Sequence, residues 1–127
     1  LTKLNVDFNL HPETCEIEAV CTAKTTGKTG IFAYNDRRAV QMMGILQKMK
    51  IRVPDDLSLA AFDDMELCSI VRPGLTAVRQ PLKEMMKAAC DILEKRVHGD
   101  YSDFPARVSL KATIVNRDSI KDRYGRK

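Results

Sequence analysis

Three polar clusters each close a short apolar run. Asn35-Asp36 follows Ile31-Phe32-Ala33-Tyr34, Asp63-Asp64 follows Leu57 to Phe62, and Arg79-Gln80 follows Leu75 to Val78. Carboxylates and amides in such places accept and donate hydrogen bonds to a polyhydroxylated or heterocyclic ligand. An ionised Asp63 receiving two adjacent hydroxyls would be a sugar-like contact, strengthened by the charge on the acceptor. The same carboxylates allow a second reading. Asp36, Asp63 and Asp64 at strand ends would hold Mg²⁺ for phosphoryl transfer, as in a receiver-like domain. That chemistry also needs a positioned Lys or Thr and a nucleophilic Asp after the first strand, and no such set can be placed. A structural reading also stands beside both: Asp36 only caps a helix and Asp64 only opens a turn.

Other chemistries find less support. Cys15, Cys21, Cys68 and Cys90 form no C-x-x-C pair, and His11 and His98 lie far from them, so no zinc signature exists. No Ser/His/Asp or Cys/His arrangement stands out. Gly27-Lys28-Thr29 lacks the upstream glycine that a phosphate loop needs. On the residues alone the binding reading and the Mg²⁺ reading both stay open; the reading carried forward is a binding protein, not an enzyme, with no catalytic residues, no metal and no cofactor.

The elements that must carry these clusters follow from periodicity. Residues 13–24 contain good helix formers after His11-Pro12. Ile31 to Tyr34 reads as a buried strand. Asn35-Asp36 offers a side-chain oxygen to cap a helix over about 37–50, whose apolar stripe includes Ala39, Val40, Met42, Met43, Ile45, Leu46 and Met49. Gly44 inside that helix suggests close packing against a neighbour. Leu57 to Phe62 is a second strand, and strand–helix–strand from Ile31 to Phe62 has the size of a right-handed βαβ crossover. A short helix over about 65–71, a turn at Pro73-Gly74 and a third strand at 75–79 follow. Pro81 fits the first position of a helix whose Leu82, Met85, Met86, Ala89, Leu93 and Val97 share one face, and Gly99 fits the position after its end. Alternation from Arg107 to Val115 predicts a half-exposed strand or two short collinear ones. The fold class is α/β, a mostly parallel sheet flanked by helices, in which ligands bind at the carboxyl ends of the strands.

Composition narrows the partners. At 127 residues, 44% hydrophobic and 30% charged, the chain is the size of one domain with enough apolar content for a core, which excludes disorder throughout. No apolar run approaches the ~18 residues of a membrane span, and no signal peptide is visible. The formal charge is +4, of which a net +3 sits in the last seven residues. A nearly neutral body argues against a nucleic-acid-binding face. Scattered cysteines without an export signal read as reduced, mostly buried thiols in a cytoplasmic protein. The chain begins at Leu1 rather than Met, which reads as a piece of something longer.

Ordered segments also resemble a known family. Ile31-Phe32-Ala33-Tyr34-Asn35-Asp36-Arg37-Arg38-Ala39 is similar to the IFAxNDxxA segment of the LacI/GalR bacterial transcription regulators. Ile51 to Leu59 with Ala61-Phe62-Asp63-Asp64 resembles lRVPeDvSvvGFDD, Pro73 to Pro81 resembles PpLTTVRQP, and Val115-Asn116-Arg117-Asp118-Ser119 resembles lVxRxS. Ala61 stands where the family often has glycine.

The resemblance implies the C-terminal lobe (residues 1–119) of a type I periplasmic-binding-protein-like effector domain, with a basic tail at 120–127. Two such lobes close on a small molecule, a sugar or nucleoside-like effector, and a DNA-binding head outside this chain contacts the operator, here as a repressor. A periplasmic sugar-binding transport protein shares the fold. By position, Asn35, Asp63 and Gln80 match effector-contacting or pocket-side residues, Phe8 matches an aromatic laid against the effector, and Leu82 matches an apolar wall. The resemblance implies a homodimer, with Ala39, Met42, Met43, Leu67 and Ile70 at its interface and no membrane partner. Packing of those apolar residues against their own sheet is the alternative.

Overall fold

The computed structural model describes residues 15–123. Chain order is α1 (Cys15–Thr25), β1 (Gly30–Phe32), α2 (Asp36–Lys48), β2 (Ser58–Asp63), α3 (Leu67–Ile70), β3 (Thr76–Arg79), α4 (Leu82–Val97) and β4 (Thr113–Val115). Among the described residues the strands form one sheet in the order β1-β2-β3-β4. The first three are parallel and β4 runs antiparallel to β3. The register pairs Phe32 with Ala60, Asp63 with Arg79, and Arg79 with Thr113. The α/β class, the mostly parallel sheet and the βαβ unit agree with the reading of the sequence.

Local chemistry explains the boundaries. Asn35 is extended (φ −153°) and its side-chain oxygen accepts from the Arg38 N–H at 3.0 Å, capping α2 as its residue type predicts. Asp36 in the first turn and Lys48 in the last complement the helix dipole. Pro81 is the residue before α4, one position earlier than expected. Gly99 takes φ +76° just past the end of α4, a conformation that L side chains resist.

One face of the sheet carries the core. Leu59 and Ala61 of β2 and Ala77 of β3 meet Ala39, Met42 and Leu46 of α2 and Val20 of α1, all buried. Opposite side chains alternate outward: Phe32 and Ile114 are exposed and Phe62 is half-buried. No residue of α4 is buried, so its apolar face lies open.

Several expectations need correction. Alternation at 107–112 makes no ladder, because β3 is four residues long and Thr113–Val115 use its free edge. A Cβ on Gly44 would meet nothing within 4 Å, so that glycine marks space, not close packing. Cys21 and Cys90 are exposed, and only Cys68 among the described free cysteines is buried. Burial, and next the neighbouring Asp36 carboxylate, push the Cys68 thiol up to about 12. His11-Pro12, Phe8 and the end of the tail lie outside the described residues. Within the tail, Lys121 reaches Asp55 at 2.7 Å and Arg123 reaches the Asp55 carbonyl at 2.8 Å, so this part is tied to the loop before β2.

That loop makes an acid-sensitive joint. The Arg52 guanidinium grips both oxygens of Asp56 (3.1 and 2.9 Å) and, with the Arg52 backbone N–H, lowers its carboxyl to about 2. A folded value below the unfolded value of about 3.9 adds stability above that pH, lost as the pH falls toward 2. Asp56→Asn should therefore flatten the fall in thermal stability between about pH 4 and pH 2. Melting curves across that range check it.

Candidate functional site

Parallel strands bring their carboxyl ends to one edge. The Ala33 N–H donates to the Ala60 carbonyl at 2.8 Å, carrying the β1–β2 ladder one residue past β1. Asn35 follows β1 as the cap of α2, and Asp63 at the end of β2 is paired with Arg79, the residue before Gln80. Three of the four residues matched to the effector thus lie at this rim, at or just after the carboxyl ends of the parallel strands β1, β2 and β3: Asn35, Asp63 and Gln80, the last two in contact. The fourth, Phe8, lies outside the described residues. Leu82 is exposed at the start of α4, beside this rim.

The hydrogen bonds show which atoms remain available. Asn35 spends its carbonyl oxygen on the cap of α2, which leaves its amide as a donor. Asp63 accepts from the Gln80 side-chain amide with one oxygen, at 2.5 Å. Its second oxygen and the Gln80 carbonyl are left as acceptors. Donor and charged acceptor at neighbouring strand ends form a pattern that adjacent hydroxyls complement, each hydroxyl both giving and taking a bond.

The backbone under Asp63 is unusual. Asp63 (φ +106°) and Asp64 (φ +61°) are consecutive left-handed residues without a glycine. Such positions cost on the order of 1–3 kcal/mol each and persist where the surroundings over-determine them. The Asp64 side chain is fully enclosed, and each of its oxygens takes one guanidinium: Arg79 at 2.7 Å and Arg117 at 2.6 Å. Asp36 is likewise spent internally, since its carboxylate accepts from the Met65 N–H at 2.5 Å and ties α2 to the segment before α3.

These commitments bear on the Mg²⁺ reading. Among the described residues no three His, Cys, Asp or Glu side chains stand together as metal ligands. Asp36, Asp63 and Asp64 point to three different partners. Arg117 was visible in the sequence only as part of a matching segment; its bond to Asp64 spans 53 positions, and nothing local signals it.

The residues matched to a dimer surface separate into two groups. Ala39 and Met42 are buried in the chain's own core, so they have no surface to offer, a correction with a simple cause: the α2 stripe faces the sheet. Met43 is half-buried against that core, while Leu67 and Ile70 on α3 are exposed.

The sequence of residues 4–120 matches the model of the periplasmic binding protein-like domain. The chain belongs to that family. Among curated relatives, this periplasmic-binding-protein-like domain is 31% identical over 105 residues to a probable opine utilization operon repressor of Rhizobium rhizogenes, covering 83% of the chain and 52% of that protein. It is 36% identical over 95 residues to the HTH-type transcriptional repressor PurR of Vibrio cholerae, covering 74% of the chain and 28% of the repressor. The chain thus spans about a quarter to a half of the length of these relatives. Among solved structures it resembles a LacI family transcriptional regulator from Enterococcus faecalis with bound ribose (TM-score 0.69, 29% identity, 84% of this chain and 40% of the other). A LacI family regulator from Arthrobacter sp. FB24 in complex with lactose gives TM-score 0.69 and 27% identity, over 84% of this chain and 41% of the other. The resemblance to the LacI-type regulators thus holds in both sequence and fold. No helix among the described residues is long and apolar enough to cross a membrane.

Proposed function

We propose that this domain is the effector-sensing lobe of a LacI-type transcription repressor, with a sugar-like molecule as effector. The observation that carries the reading is the rim, where Asn35, Asp63 and Gln80 come to one edge with a free donor and a free charged acceptor. The ribose and lactose in the structural relatives support the ligand class. The domain works by population shift: effector bound between this lobe and a second one favours one closure state, and closure changes the spacing of two DNA-binding heads. The protein acts in the cytoplasm as a homodimer. Its dimer contact uses the exposed Leu67 and Ile70 of α3 with Met43 at the edge of α2, where burial contributes at ~25 cal/mol/Å² of apolar area.

Asp63→Asn in the complete repressor tests this reading. Asn tolerates the left-handed backbone and its oxygen still accepts from Gln80, but the atom facing the sugar becomes an NH2 donor, so the free charged acceptor is lost. Losing a hydrogen bond to a charged group costs on the order of 1.5–3 kcal/mol, about tenfold or more in affinity. Effector-dependent release from the operator should need about tenfold more sugar, while operator affinity without sugar stays the same. An unchanged release curve in an operator-binding titration contradicts the role given to Asp63.

A further inference from the structure

We propose that Arg117 is a positioning residue for the effector: acting through Asp64, it holds the end of β2 in the conformation that presents Asp63 at the rim. The inference rests on the reading of Asp63 just given and adds what holds that residue in place. Asp63 and Asp64 share a peptide unit between two left-handed residues, so neither can turn without the other. A left-handed non-glycine pair relaxes unless something prevents it. Here the restraint is the Asp64 carboxylate, sealed from solvent with one guanidinium on each oxygen. Rotating Asp64 to an ordinary backbone conformation would strip those partners from a buried charge.

Of the two arginines, Arg117 is the firmer. Its side chain is 18% exposed against 58% for Arg79, so its attraction to Asp64 is the less screened. The same Nη1 that donates to Asp64 also donates to the Leu75 carbonyl at 2.7 Å. Its backbone N–H donates to the Thr76 hydroxyl at 2.8 Å. Its Cβ and Cδ lie where a Cβ on Gly74 would approach to 3.4 Å. Arg117 is thus fixed to the start of β3 and reaches from there to the end of β2. Asp63 then meets Gln80 in a set geometry, and affinity at the rim becomes a property of a residue two places beyond β4.

The test uses the complete repressor with Arg117→Met and Arg117→Lys, read in two ways. The first is the side-chain amide signals of Gln80 in ¹⁵N spectra of the free protein. The second is calorimetric titration with ribose, lactose and cellobiose. Arg117→Met should displace the Gln80 signals and weaken binding of the sugar that the parent protein takes by tenfold or more. Arg117→Lys, which keeps a cation near Asp64, should recover part of both. A lowered melting temperature with Gln80 signals and affinity unchanged would make Arg117 merely structural and overturn the proposal. If Arg117→Met does not fold, Arg117→Lys alone decides, since unmoved Gln80 signals in it would contradict the coupling. Failure of the parent protein to bind any of the three sugars would count against the sugar reading, while the Gln80 signals still judge Arg117.

Discussion

Leu46→Ala should lower the free energy of unfolding by about 2–5 kcal/mol, the range for truncating a large buried aliphatic side chain. Leu46 is fully buried on the face of α2 that meets the sheet. Its surroundings in the core are rich in small residues, with Ala33, Ala39, Ala61 and Ala77 all buried. Alanine side chains have no rotamers with which to fill a void, so most of the cavity should persist and the cost should lie toward the upper part of that range. Urea unfolding followed by circular dichroism measures the loss. A shift of the midpoint with an unchanged slope would show that stability, and not the unfolded state, has changed.

Ser119→Ala should cost about 2–4 kcal/mol. Its hydroxyl donates to the Leu59 carbonyl at 2.6 Å and accepts from the Thr76 N–H at 2.8 Å, and the residue is fully buried. Its backbone adds two more ties: the Ser119 N–H bonds the Gly74 carbonyl at 2.9 Å, and the Leu59 N–H bonds the Ser119 carbonyl at 2.8 Å. Alanine keeps the backbone ties and removes the hydroxyl. A buried N–H and a buried carbonyl then lose a partner, each at about 1–3 kcal/mol. The same urea experiment checks it, and a loss below about 0.5 kcal/mol would mean that water replaces the hydroxyl.

The two variants mark what the sequence could and could not reveal. Leu46 belongs to a helix whose cap, period and flanking strands are local signals, and β1, α2 and β2 lie within a residue or two of where those signals put them. The nearness of Asp63 and Gln80 was legible for the same reason: parallel strands end together, so the polar residues closing β2 and β3 share an edge. Ser119 and Arg117 act across 60 and 53 positions respectively, and such pairs leave no periodic trace. An apolar stripe is ambiguous in another way. It says that a helix buries one side but not against what, which is why Ala39 and Met42 read as interface in the sequence and are core in the fold. Alternation at 107–112 misleads because a strand exists only where a partner edge remains, and β3 has four residues to offer.

The rim is proposed to hold the effector. A crystal structure of the full-length protein that contains this domain, grown with ribose, lactose or cellobiose, would show where a bound sugar sits. The expected arrangement has a sugar hydroxyl within hydrogen-bond distance of the free Asp63 oxygen and a second one at the Asn35 amide, with Gln80 still on Asp63. A sugar seated away from the ends of β1, β2 and β3, with Asp63 touching only Gln80, would contradict it.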